Sequence, residues 1–283
     1  MMADLGQILV GFFLSALIAW MAYRKQSLTL SGVMGALLTG TLIFGFGGWI
    51  WGLLLIAFFV SSSFLSRCFE VEKQRLTEKF AKGHRRDIGQ ALANGGWGAV
   101  LAVAYAFTQH PLLWAAFVGA VASVTADTWA TEIGVLSRSQ PRLITTGEPV
   151  PVGTSGGVSA LGTAATAAGG LFIGLVTYLL HELFSIVSGK SLAWIDLLII
   201  AVGLAGGLTG SFFDSFLGAT LQGIYYCERC AKETEKTRHR CGQATHLVRG
   251  YRWLSNDLVN LLSSVIGSIA AAAVAWFGRQ YWG

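Results

Sequence analysis

The sequence predicts an all-α polytopic membrane protein, with about eight transmembrane helices in one bundle. Three observations carry that expectation. Of 283 residues, 53% are hydrophobic and only 12% are charged, against about 25% charged in a soluble domain. The apolar residues gather into runs long enough to cross about 30 Å of hydrocarbon. The 36 glycines suit helices whose backbones approach closely. No polar segment is long enough for a separate soluble domain, so residues 1–283 read as one integral membrane domain.

The runs follow in order. Residues 5–22 form the first, closed by Arg24 and Lys25. It lacks a basic segment before it and a small-residue cleavage site after it, so it reads as mature structure. Residues 30–47 and 49–66 are split by a glycine-rich break. The first of these is short, so a seven-span chain with a re-entrant segment is the alternative. Residues 88–108 and 112–136 flank "TQHP", and 158–180, 192–220 and 255–277 complete the set.

Charge sets the orientation. Loops 23–29, 67–87, 137–157 and 221–254 hold 18 of the 20 Lys and Arg residues, leaving Lys190 and Arg279 on the other side. The positive-inside rule makes the rich side cytoplasmic and puts both termini outside. Trp49, Trp51, Trp114, Trp194, Trp276 and Trp282 fall near the outer ends, where an aromatic belt belongs. The net charge of +5 therefore reflects topology and attraction to anionic lipid rather than nucleic acid.

Against this background "GAVASVTADTWATEIGVLS" (119–137) is unusual. A carboxylate at the bilayer centre costs about 3 kcal/mol, yet Asp127 and Glu132 both lie in the fifth run. Asp214 lies at similar depth in the seventh. Asn256, Asp257 and Asn260 open the eighth, and Asp87, Gln90 and Asn94 enter the fourth. Helical spacing aligns these residues in stripes: Asp87–Gln90–Asn94, Ser123–Asp127–Thr131, Ser211–Asp214–Gly218–Gln222 and Asn256–Asn260–Ser264. Glu132 sits about 140° from Asp127 on a regular helix. Polar stripes inside a membrane bundle face inward, which predicts a pocket open to the cytoplasm. No Lys or Arg lies within the apolar runs beside Asp127 and Asp214, so a bound cation would answer their charge. The plainer readings make the asparagines interhelical glue, Asp257 a first-turn cap and Glu132 an interfacial residue.

Two loops add features. Pro149 and Pro151 extend the chain into "GTSGG", residues Gly153, Thr154, Ser155, Gly156 and Gly157, just before the sixth run. Successive backbone N–H groups at a helix start can cradle phosphate, while the ordinary reading is a flexible cap. The P-loop pattern is absent. In "YYCERCAKETEKTRHRCGQATH" (225–246), Cys227, Cys230 and Cys241 with His239 or His246 have the chemistry of a structural Zn²⁺ site. The alternative is reduced, unliganded thiols.

Together, "RRDIGQALANGG" (85–96), "ADTWATEIGVLS" (126–137), "PRLITTGEPVPVGTSGGVSALGTAATAAGG" (141–170), "GSFFDSFLGATLQ" (210–222), the Cys/His segment and "NDLVNLLSS" (256–264) resemble the DUF92, or transmembrane protein 19, family. That family includes the phytyl-phosphate kinase of tocopherol biosynthesis. The resemblance implies a CTP- and Mg²⁺-dependent phosphotransferase at the cytoplasmic face, converting a prenyl (phytyl) monophosphate to the diphosphate. It implies a plasma-membrane or thylakoid-type setting, with nucleotide and prenyl lipid as partners. Carried onto this chain, it marks Asn94, Asp127, Glu132, the 153–157 loop, Asp214, Asn256, Asp257 and Asn260. The chemistry gives Asp127 and Asp214 to Mg²⁺, with Asn94 and Asn260 beside the reacting groups. Glu132, Asn256, Asp257 and the loop fall to the nucleotide. Arg85, Arg86, Arg138 and Arg142 are candidates for phosphate oxygens or topology determinants. The alternatives are a prenyl-alcohol kinase, a lipid-phosphate cytidylyltransferase, or a transporter of a cation or phosphorylated metabolite.

Overall fold

A computed structural model describes residues 5–69, 85–189, 197–239 and 241–282. Within them lie eight helices of membrane-crossing length and composition. They are α1 (Leu5–Arg24), α2 (Leu30–Leu42, continued by a π turn over Ile43–Gly47), α3 (Trp49–Cys68), α4 (Ile88–Thr108), α5 (Pro111–Gly134), α6 (Ala160–Val187), α7 (Leu198–Thr220) and α8 (Asn256–Trp282). The re-entrant alternative gives way to an α2 of full length. The π turn ends at Gly48, whose φ of +93° reverses the chain into α3. α6 runs a further turn and more beyond residue 180, because "LLHELFSIV" stays largely apolar.

Local chemistry starts several of the helices. Thr29 accepts a hydrogen bond from Gly32 N, and Ser159 accepts one from Gly162 N. Asp87 and Gln90 form a reciprocal capping box on α4, so that pair stabilises a helix end rather than only lining a face. Pro111 opens α5, where a missing N–H costs nothing. At α8, Ser255 accepts from the first turn, at 3.4 Å from Leu258 N.

α5 is the most enclosed helix and packs against α6, α7 and α8, with α3 and α4 on its other flank. Glycine makes this possible. A methyl at Gly206 would stand 2.6 Å from Gly119 Cα and 3.1 Å from Gly267 O, so α5, α7 and α8 meet backbone to backbone. Close approach of this kind replaces the hydrophobic driving force that lipid cannot supply. Ser123 Oγ donates to Ser263 O, and Trp97 Nε1 donates to Ser268 Oγ across the same layer. α1 and α2 lie to one side, with α2 against α4 and α1 against α2 and its π turn.

The tryptophans divide. Trp49 and Trp276 are exposed as a belt requires. Trp51 is buried, with its ring centroid 4.2 Å from Phe117 and 5.2 Å from Trp114. Those two therefore belong to an aromatic core rather than a belt, because α3 turns that face onto α5. Trp194, Lys190, the side chain of Trp282 and most of the 67–87 loop lie outside the described residues.

Two small β ribbons sit at one end of the bundle. β1 (Arg142–Leu143) pairs antiparallel with β2 (Gly157–Val158). β3 (Ile224–Cys227) lies between β4 (Lys232–Thr234) and β5 (His246–Arg249), both antiparallel to it. Arg249 fastens the second ribbon to α7, donating from Nη1 to Ala219 O at 2.7 Å and from Nη2 to Gly218 O at 3.1 Å. A cation is favourable at those terminal carbonyls.

Candidate active site

A cleft of about 880 Å³ opens at the end of the bundle that carries the ribbons. Its walls collect residues from α3 through α8. Asn94 comes from α4, Asp127 and Glu132 from α5, and Asp214 from α7, while Asn256, Asp257 and Asn260 come from α8. Gly153, Thr154, Ser155, Gly156 and Gly157 close one side. Sequence positions spanning more than half the chain thus share one cavity.

Asp127 and Asp214 are held by hydroxyls. Ser211 Oγ donates to Asp127 Oδ1 at 3.4 Å, and Ser263 Oγ donates to Asp214 Oδ2 at 3.3 Å. Among the described residues, no salt bridge from Lys, Arg or His reaches either carboxylate. Two oxygen donors of like charge, with amide oxygens from Asn94 and Asn260 on the same walls, are the donor chemistry that suits Mg²⁺. Ser123 and Ser264, on two of the predicted stripes, instead serve packing: each donates to a backbone carbonyl.

Glu132 takes a different neighbour, as its angular offset requires. Ser66 Oγ of α3 donates to Glu132 Oε1 at 2.7 Å. Arg86 lies on the same wall, its guanidinium 5.1 Å from the Phe58 ring centroid. Burial lowers the Arg86 pKa to about 10, with Glu132 pulling it back up, so the group stays cationic at neutral pH. Its backbone is fixed by a bridge to the α1–α2 connection: Thr29 N donates to Arg86 O and Arg86 N to Ser27 O, both at 2.9 Å.

The 153–157 segment is a built turn rather than a flexible cap. Gly157 N donates to Thr154 O and Ile144 N donates to Gly156 O. Gly153 and Gly156 have φ of +79° and +84°, the region open to glycine. A methyl at Gly156 would stand 2.5 Å from the Ala219 backbone N, so the turn rests directly on the end of α7. Arg142 departs from expectation. It is exposed and does not line the cleft, and its Nη1 donates to Gly147 O at 2.8 Å within its own loop. Arg85 also turns away, donating to Leu28 O.

Glu235 is the residue that sequence reasoning missed. It reaches the cleft from beyond β4 and accepts from Ser155 Oγ at 3.0 Å and from Gln222 Nε2 at 2.8 Å. One acidic residue among several in a mixed-charge loop carries no periodic signal. Ser66, which follows three other serines near the end of α3, is not singled out by the sequence either.

Beside the cleft, the ligand atoms of Cys227, Cys230, His239 and Cys241 lie within 4.8 Å of one another. The fold selects His239. His246 faces Glu228 at 3.6 Å instead. The backbone N–H of Gln243 and then His239 lower the Cys241 pKa to about 6, while Cys241 and then burial push Cys230 up to about 11. A thiol lowered in this way, beside two further cysteines and a histidine, is metal-ligand chemistry.

Residues 13–268 match the profile of the family described as integral membrane protein DUF92. The chain belongs to that family. Among its DUF92 relatives, Protein PGR of Arabidopsis thaliana is 36% identical over 286 residues, covering 95% of this chain and 97% of the relative. An uncharacterized membrane protein of Methanocaldococcus jannaschii is 29% identical over 97% of this chain and 98% of its own length. Protein VTE6, chloroplastic, of Arabidopsis thaliana is 29% identical over 90% of this chain and 67% of the relative. No solved structure matches.

Proposed function

We propose that this DUF92 protein is a CTP- and Mg²⁺-dependent kinase that converts a prenyl monophosphate, of the phytyl type, to the diphosphate. The observation that carries the reading is the convergence of Asp127, Asp214, Asn94, Asn260 and the 153–157 turn on one cleft. Phosphoryl transfer asks for positioning and charge neutralisation more than covalent chemistry, and these residues supply both. Membership of the DUF92 family, with its resemblance to the phytyl-phosphate kinase, supports the kinase class.

The surroundings suit an amphiphile. A narrow apolar crevice between α1, α2, α3 and α4 shares Arg86, Gln90 and Asn94 with the polar cleft. Its walls include Ala19, Leu28, Phe44, Phe58 and Phe59. An isoprenoid tail would lie there, with its phosphate turned toward Arg86. The nucleotide enters from the open, cytoplasmic side, its phosphates against the turn and the N-terminus of α6.

In the reaction, an acceptor phosphate oxygen bonds to the terminal phosphorus of CTP. The bond from that phosphorus to the bridging oxygen breaks, and CDP leaves with the electron pair. The acceptor is already largely deprotonated, since a phosphate monoester has a second pKa of about 6, so no general base is required. Asp127 and Asp214 would hold the Mg²⁺, which supplies charge neutralisation for the phosphate oxygens when bound. Glu132 adds negative charge beside Arg86, and Asn256, Asp257 and Asn260 would order the wall that α8 contributes.

The test uses purified protein in detergent with Mg²⁺, phytyl and geranylgeranyl monophosphates, the free alcohols, and each labelled nucleotide. Diphosphate with CDP release is the expected outcome. Release of pyrophosphate would assign a cytidylyltransferase, and turnover of the alcohol alone would assign an alcohol kinase. Ion-driven uptake into proteoliposomes without nucleotide turnover would assign transport and overturn the reading.

A further inference from the structure

The Cys/His ribbon has geometry that the reaction above does not use. Cys227 ends β3, Cys230 lies in the turn to β4, and His239 and Cys241 lie in the connection to β5. Cys227 Sγ is 3.6 Å from Cys241 Sγ, and His239 Nδ1 is 3.3 Å from the same sulfur. Tetrahedral Zn²⁺ with metal–sulfur bonds of about 2.3 Å has sulfur–sulfur edges of about 3.8 Å. A disulfide needs about 2.05 Å, and these cysteines are free thiols. Cys227 and His239 are buried. The three strands are three or four residues long, too short to build a hydrophobic core of their own, which is the situation in which small folds use a metal staple.

The same ribbon delivers Glu235. Thr234, the last residue of β4, pairs with Tyr225 of β3, and both are buried. The next residue is Glu235, whose Oε1 takes hydrogen bonds from Ser155 and Gln222. Ser155 belongs to the turn that rests on Ala219. Gln222 is buried and stands just past the end of α7, to which Arg249 of β5 is also fastened. The staple, the carboxylate and the turn are therefore mechanically in series.

We propose that Cys227, Cys230, His239 and Cys241 bind one structural Zn²⁺, and that this metal fixes Glu235 as a positioning residue for the 153–157 turn. Zinc holds β3, β4 and the His239–Cys241 segment in register. That register sets where Glu235 meets Ser155. Loss of the metal frees the ribbon end, withdraws the acceptor from Ser155, and leaves the turn held by Ala219 packing and its backbone bonds alone.

The experiment uses the full-length protein, prepared without a histidine tag. Elemental analysis should find about one zinc per chain. Cys230→Ser should lose it, and Cys68→Ser, outside the cluster, should keep it. Hydrogen exchange then reads the relay. Stripping wild-type protein with a zinc chelator should raise exchange by about tenfold or more in both 224–249 and 153–157. Glu235→Gln should keep the zinc and loosen 153–157 only. Zinc-free wild-type protein with a protected ribbon would overturn the metal site. Unchanged exchange at 153–157 after zinc loss, or in Glu235→Gln, would overturn the relay. A rise in nucleotide KM in Glu235→Gln is the expected kinetic consequence and rests on the proposed function, whereas zinc content and exchange do not, so the two ideas fail separately.

Discussion

Asp127 and Asp214 define the residue scale. Each accepts from a serine hydroxyl, and each projects into the cleft from a helix that otherwise suits lipid or packing. Replacing either with asparagine keeps the shape and the hydrogen-bond acceptor but removes the charge. The expected outcome is a loss of turnover by about 10²–10³-fold or more, the range for deleting a preorganised electrostatic contact. Gel-filtration behaviour should be unchanged; near-normal turnover in Asp127→Asn would remove it from the metal set. Glu132 answers to a different measurement. It accepts from Ser66 at 2.7 Å, and its charge acts on the half-buried Arg86. Glu132→Ala strips a charged hydrogen bond worth about 1.5–3 kcal/mol and removes the negative charge beside the half-buried Arg86. A fall in thermal midpoint of several degrees in detergent should accompany it, and a midpoint equal to wild type would mean the interaction contributes little.

At the scale of elements, two contacts decide how the site is built. The turn at 153–157 touches α7 through Gly156, whose φ of +84° and 2.5 Å clearance to Ala219 N exclude a side chain. Gly156→Val combines backbone strain of about 1–3 kcal/mol with a clash. Nucleotide KM should rise steeply or transfer should cease, while α-helical content persists; unchanged nucleotide kinetics would reduce the turn to an ordinary helix cap. Deeper in, Gly119, Gly206 and Gly267 bring three helices into backbone contact. Gly206→Leu should separate them and cost about 1–3 kcal/mol as overpacking. Because α5 and α7 carry Asp127 and Asp214, activity and thermal stability should fall together in that variant, unlike in Asp127→Asn.

On the scale of the whole molecule, the cleft occupies one end of the bundle, and the charge distribution predicts that this end faces the cytoplasm. Periplasmic-type reporter fusions placed after residue 110 should be active outside. The same reporter placed in the 142–148 loop should be inactive, and a cytoplasmic-type reporter there should be active. The reverse pattern would invert the orientation and move nucleotide access to the wrong compartment. The exposed leucines and phenylalanines that cover α1, α2 and α6 are then lipid-facing surface, and on the proposed function the crevice beside Arg86 would take the prenyl tail.

The sequence by itself determined the class of protein, the helix spans and the stripes of polar residues. Each is a property of a local pattern: hydropathy over about 20 residues, or a repeat of three and four along one helix. It therefore reached Asn94, Asp127, Asp214 and Asn260, which share faces with other polar residues. Tertiary structure alone decided what the stripes meet. It placed Ser66 and Glu235 in the cleft, turned Arg142 away from it, chose His239 over His246, and moved Trp51 and Trp114 from a belt into the core. None of these has a periodic or compositional mark. Each depends on a crossing set elsewhere, where glycines let α5, α7 and α8 approach and where a short ribbon folds back over the end of α7. The physical reason is that side-chain chemistry and helix period are local, whereas the distance between residues 66 and 132, or 155 and 235, is fixed only by how the helices and the ribbon pack.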